Sequence, residues 1–111
     1  MITYKNKQYV CLLDLAVELF RGKWKAVILC HLNKGEKRFL ELQRITCGVS
    51  QKVLSEKLRE LEEDGLIIKV VYPEVPPRVE YFLTDKGKEL AAILDNVEAW
   101  SKKHFGDLEE K

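Results

Sequence analysis

Apolar side chains recur along this chain with two different periods, and the change of period divides it. Leu12, Leu15, Ala16, Leu19 and Phe20 fall three or four apart, which predicts a helix over 11–20. Gly22 interrupts it. Trp24, Val27, Ile28 and either His31 or Leu32 share one face of a second helix over about 24–32. Asn33-Lys34-Gly35 ends that helix, with Gly35 suited to a left-handed C-terminal position. Phe39, Leu42 and Ile45 space out a short third helix. Cys47-Gly48-Val49 reads as a turn, and Ser50 as the N-cap of a fourth helix reaching about Asp64. Leu54, Leu58 and Leu61 form its buried stripe, with Val53 at the margin, and Gly65 closes it.

Beyond Gly65 the pattern changes. Leu66 to Tyr72 is rich in β-branched residues and reads as a strand. Pro73-Glu74-Val75-Pro76-Pro77 cannot continue it and must be a stiff loop. Arg78 to Leu83 returns as a second strand beside the first. Thr84 then caps a final helix from Asp85 to about His104, with Leu90, Leu94, Val97 and Trp100 or Ser101 as its stripe. Two helices joined by a short glycine-containing turn (39–45 and 51–64) are a helix-turn-helix signature, and a hairpin directly behind them is a wing. The expected fold is mainly α with a β-hairpin wing, a single winged helix-turn-helix domain over 1–111. Its recognition helix is about 50–64 and its wing about 66–83. A domain this small cannot bury all the apolar surface of its first and last helices. Helices 11–20 and 85–104 are therefore expected to dimerise two copies. Their plainer use is to cover the core and wing.

Composition narrows the class. With 46% hydrophobic and 33% charged residues in 111, the chain is globular and fits one domain. No apolar run approaches membrane-spanning length, and Met1-Ile2-Thr3-Tyr4-Lys5 lacks the apolar stretch of an export signal. A cytoplasmic location without a membrane partner is the expectation. Cys11, Cys30 and Cys47 are odd in number and widely spaced, with no CxxC pair, so neither a disulfide framework nor a zinc site is expected. Net charge is only +1, but it is unevenly spread. Residues 21–59 hold ten Lys or Arg against three Glu, a net +7, whereas 60–111 hold seven basic and thirteen acidic residues, a net −6. That asymmetry marks a face for a polyanion.

The candidate chemistry follows from the fourth helix. A recognition helix puts its N-terminal residues on base edges in the major groove. Gln51 can bond bidentately to adenine, and Lys52 can donate to guanine or to phosphate. Ser55 permits close approach beside the capping Ser50, and Arg59 can reach backbone or base. The same residues also fit a merely solvated helix face. Arg78, at the root of the wing loop, suits a minor groove or phosphates, or else an ion pair with Glu74 or Glu80. Lys37 and Arg38, and also Lys23 and Lys25, can touch phosphates or simply face water. Cys11 lies at the start of the first helix, where helix ends favour thiolate, although a small packed cysteine fits the position as well. Cys30 and His31 read as core residues. Cys47 sits in the turn before the recognition helix. The sequence holds no GxGxxG, GxxxxGK[ST] or HExxH, so no enzyme activity, cofactor or metal is expected.

Several stretches resemble one family of regulators. Gly22-Lys23-Trp24 resembles the GGKW element of HxlR-type winged-helix proteins, and Arg38-Phe39-Leu40-Glu41-Leu42 their RFxEL. Gly48-Val49-Ser50 with Leu54, and Leu58-Arg59-Glu60-Leu61-Glu62-Glu63-Asp64-Gly65-Leu66, are similar to their GIS and LRELExDGL elements. Tyr72-Pro73-Glu74-Val75-Pro76-Pro77-Arg78-Val79-Glu80-Tyr81 is similar to their wing, and Leu83-Thr84 to the LT before the last helix. The resemblance covers Cys11 to about Trp100. It implies a dimeric regulator, often a repressor, that binds palindromic double-stranded DNA. In several members a cysteine thirteen residues before the tryptophan senses electrophiles or oxidants, and Cys11 stands thirteen before Trp24. Two positions depart from the pattern: Arg21 replaces the first Gly of GGKW, and Cys47 stands where a Pro precedes Gly48. The rival from another class is a winged-helix protein-interaction module without specific DNA binding.

Overall fold

The computed structural model describes residues 1–109. A hairpin of β1 (Ile2–Tyr4) and β2 (Lys7–Tyr9) leads into α1 (Leu12–Phe20) and α2 (Lys25–Leu32). Strand β3 (Lys37–Arg38), α3 (Phe39–Ile45) and α4 (Gln51–Glu63) follow, then β4 (Ile67–Tyr72), β5 (Arg78–Leu83) and α5 (Asp85–Phe105). A single 3₁₀ turn, Gly106–Leu108, follows α5. The two strongest starts expected from the sequence are present. Ser50 Oγ accepts the Val53 amide at 3.1 Å, and Thr84 Oγ1 accepts the Gly87 amide at 3.0 Å. Each satisfies a donor that the first turn of a helix leaves without a partner.

Ile28, Leu29 and Leu32 of α2 meet Leu42 of α3, Leu54, Leu58 and Leu61 of α4, and Ala91 and Leu94 of α5 in one core. Leu66, Ile67, Tyr81 and Leu83 close it from the wing side. Each fully buried Leu or Ile contributes about 1.5–3 kcal/mol of transfer free energy, so this cluster holds the helices in place. The face of α2 agrees with the expected one at Ile28 and Leu32, with Trp24 packed against the core, and departs from it elsewhere. Val27 is exposed and His31 only half-buried, while Lys25, Ile28, Leu29 and Leu32 point inward. Almost every position of this helix is apolar, so residue spacing alone carries little information about which way it faces.

The three-stranded sheet has the order β3-β5-β4, antiparallel throughout. Tyr72 pairs with Arg78 beside the loop, and Ile67 with Leu83 at the far end. The third strand was not expected: Lys37 pairs with Tyr81 and Arg38 with Glu80, joining the start of α3 to the wing. The N-terminal hairpin was not expected either. Its turn residues Lys5 and Asn6 are left-handed, and Tyr4 Oη donates to Asp64 at the end of α4, 2.9 Å away. Helix α5 crosses the turn after α4 so closely that a Cβ on Gly87 would lie 2.0 Å from the Leu66 carbonyl oxygen.

The expected stripe of α5 holds only at its N-terminal end. Gly87, Ala91 and Leu94 are buried, but Val97 and Trp100 point outward, with Trp100 59% exposed. Ile93 and Phe105 are exposed too, and α1 presents Leu12 and Leu13 to the outside without burying any residue completely. Among the described residues no helix is long and apolar enough to cross a membrane.

Candidate nucleic-acid interface

Three core leucines fix which way α4 faces. With Leu54, Leu58 and Leu61 inward, Gln51, Lys52, Ser55 and Arg59 lie exposed on the opposite side. No acidic residue sits in the first turn, so the partial positive charge of the helix end is left uncompensated there. Arg59 Nε is 4.0 Å from Glu63 Oε1, and both side chains are well exposed. Such a pair holds its members loosely.

The turn before α4 sets the angle between α3 and α4. Cys47 and Gly48 are both left-handed, at φ 57° and 75°. The Gly48 amide donates to Gln43 O at 3.0 Å, and Gln43 Nε2 donates to Val49 O at 3.0 Å. Thr46, fully buried, donates its hydroxyl to Leu42 O at 2.8 Å. A buried hydroxyl without such a partner would be expensive, so the bond locks the end of α3. A φ of 57° is closed to proline, whose ring fixes φ near −65°. The departure at Cys47 therefore comes with a backbone conformation of its own.

The basic residues divide into free and committed groups. Arg38 is exposed ahead of α3, whose start is held by Glu41 accepting the Arg38 amide at 3.0 Å. Lys37 is turned back, donating to Gly35 O at 3.1 Å. Lys23 is exposed and lies 5.0 Å from the Trp24 ring centre. Arg21 lies 3.5 Å from Glu18. Arg78 takes the Glu74 alternative: Nε is 3.1 Å from Glu74 Oε2, and the guanidinium stacks 4.0 Å over the Tyr72 ring.

Lys25 corrects the sequence reading. Its side chain is 10% exposed and its Nζ lies 2.7 Å from Glu60 Oε2, so it ties α2 to α4 and is not placed to meet a phosphate. This bond holds the Glu60 carboxyl below its usual pKa. Arg44, which the sequence reading passed over, is exposed on α3 and shares a groove with Arg38 and Arg78. Its signal was its place six residues beyond Arg38, in the positive stretch.

The three thiols differ in setting. Cys11 is exposed at the N-cap of α1, where its side chain caps no amide. Cys47 is exposed in the turn. Cys30 is partly covered by the core, and burial together with Asp95 pushes its thiol pKa up to about 11. His31 beside it is shifted below its usual pKa by burial and by Lys34.

Comparison with known proteins agrees with this architecture. Residues 19–109 match the HxlR-like helix-turn-helix family. The chain is 47% identical over 101 residues to YtcD, an HTH-type transcriptional regulator of Bacillus subtilis, covering 91% of this chain and 80% of that one. It is 48% identical over 97 residues to an HTH-type transcriptional regulator of Methanothermobacter thermautotrophicus, covering 87% and 74%. Among solved structures, the redox regulator HypR in its reduced form superposes with a TM-score of 0.83 at 37% identity, covering 88% of this chain and 97% of that one.

Proposed function

The chain belongs to the HxlR-like helix-turn-helix family and is a transcriptional regulator with a DNA-binding fold; from that premise we propose that it is a repressor, active as a homodimer on an inverted-repeat operator. The observation that carries this reading is the exposed row Gln51, Lys52, Ser55 and Arg59 on a capped helix beside a wing. Gln51 and Lys52, nearest the helix start, read base edges. Ser55 allows the helix to approach, and Arg59 with Arg38 and Lys37 sets the register on phosphates. Lys37 must release the loop carbonyls that it bonds in the free protein.

Dimerisation would use the exposed apolar residues of α1 and α5, among them Leu12, Leu13, Val97 and Trp100. It would place two recognition helices one DNA turn apart, about 34–36 Å. Cys11 leads directly into α1, so modifying it would alter how the two copies meet and release the operator. The similarity to a redox regulator supports that step. On this reading the protein works in the cytoplasm by binding alone, without a cofactor and without turnover.

The test is selection from a random double-stranded DNA library under reducing conditions. Enrichment of a short inverted repeat supports the reading. Gln51→Ala should then lose about 1–3 kcal/mol on the selected site and relax its sequence preference. Cys11→Ser should make the complex resistant to diamide. If no sequence is enriched and binding depends only weakly on salt, the wing and helix serve a protein partner instead.

A further inference from the structure

Between α3 and the wing runs an open groove of about 530 Å³, lined on the α3 side by Arg38, Glu41 and Arg44 and on the wing side by Pro77, Arg78 and Val79. The Glu41 carboxylate there is engaged by the Arg38 amide. Arg38 and Arg44 are exposed and form no ion pair among the described residues. Arg78 is held. Tyr72 and Arg78 are paired across β4 and β5 beside the loop, and Glu74 reaches back from that loop to the guanidinium. Yet Arg78 Nε is covered and has no hydrogen-bond acceptor in alignment, so Glu74 holds it by charge without a directed bond. Glu74 is 53% exposed and Arg78 32%. Pairs this open to water are weak, whereas a phosphate offers a guanidinium two parallel bonds.

We propose that Arg38, Arg44 and Arg78 receive one strand of the DNA sugar-phosphate backbone in this groove, and that Glu74 is a built-in competitor that occupies Arg78 until phosphate displaces it. This rests on the DNA-binding reading above and adds a regulatory role for Glu74 and a contact residue, Arg44. Glu74 lowers affinity for every sequence alike, because phosphates carry no base identity. The brake limits nonspecific retention while leaving base reading to α4.

Titrating a fluorescent mixed-sequence duplex with wild-type protein, between about 50 and 200 mM salt, provides the measurement. Glu74→Gln keeps the side chain's size and removes its charge, and should tighten binding about two- to fivefold, the strength of an exposed ion pair. In an Arg78→Ala background the same change should have no effect, since Glu74 acts through Arg78. Arg44→Ala should weaken binding and flatten the plot of log affinity against log salt by about one unit. Glu74 and Arg44 are both exposed, so neither change disturbs the core. An unchanged affinity for Glu74→Gln overturns the proposal, and so does a gain that persists without Arg78, or an unchanged salt slope for Arg44→Ala. In each of those cases wild-type binding stands, and with it the DNA-binding reading. If the wild type binds no duplex at all, both fall.

Discussion

Removing one end of the Lys25–Glu60 bridge should have a very different effect from removing the other. Lys25 is the buried partner, at 10% exposure, and Glu60 the wetter one, at 42%. Glu60→Gln leaves the largely covered Lys25 ammonium facing an uncharged amide, in a pocket whose other carboxylates are Glu18, Glu63 and Asp64. Breaking a fully buried pair costs about 3–5 kcal/mol, and an exposed pair at most about 1. One buried and one solvated partner place Glu60→Gln between them, at about 1.5–3 kcal/mol. Lys25→Met instead removes the buried charge and keeps its volume, while Glu60 retains water and Lys57, 3.8 Å away. That variant should cost less than about 1 kcal/mol. Urea unfolding at one fixed protein concentration measures both, because the stability of the proposed dimer would depend on concentration. The pH dependence has a definite sign. Glu60 has a depressed pKa in the folded state, so its contribution is present above the unfolded carboxylate pKa and is lost as pH falls through the folded one. The Glu60→Gln variant should show a shallower acid transition. If Lys25→Met proves as damaging as Glu60→Gln, the bridge does not work as described.

Gly87→Ala should cost about 1–3 kcal/mol or more, because the added carbon meets the Leu66 carbonyl oxygen at 2.0 Å, and that oxygen already accepts the Thr84 amide. A fall in the urea midpoint at unchanged slope would show it, and wild-type stability would contradict it. Cys47→Pro, which restores the residue the family resemblance leads one to expect, should destabilise by more than about 1 kcal/mol. It removes the Cys47 amide's bond to Arg44 O, 3.1 Å long, and demands a φ the turn does not have. Thermal melting of that variant beside Cys47→Ser separates the backbone effect from loss of the thiol. Alkylation with iodoacetamide near neutral pH, followed by mass spectrometry, should modify Cys47 well before Cys30, whose thiolate is disfavoured. Equal rates would mean that Cys30 is open to solvent.

The parts of the fold legible in the sequence are those where polarity and geometry agree. In α4, Leu54, Leu58 and Leu61 alternate with charged residues, so the side facing the core and the exposed row follow together. The wing announced itself through β-branched runs around three prolines. Helix α2 hid its orientation because it is apolar nearly all round, and Lys25 hid within it. The spacing 25, 28, 29, 32 does place Lys25 on the inner stripe, but only once Leu29 is known to point inward. Strand β3 has two residues and no periodicity to detect. The N-terminal hairpin left one faint sign, Asn6 in a two-residue turn between Tyr4 and Lys7, since asparagine tolerates left-handed backbone. Arg78 was legible as a position, and its commitment to Glu74 depended on the course of the wing loop.

Strand β3 has a mechanical consequence. Lys37 and Arg38 are laced into β5, and α3 starts at the very next residue. The hairpin and the helix-turn-helix are thus one rigid casting, gripped at the edge of the sheet as well as through the core. Such a body has few ways to bend internally. In the dimer proposed above, a signal entering through α1 or α5 would have to change the distance or tilt between two intact heads, much as callipers open without deforming their jaws. Tuning of the response then belongs to the residues at the pivot, and tuning of the sequence read belongs to the jaws.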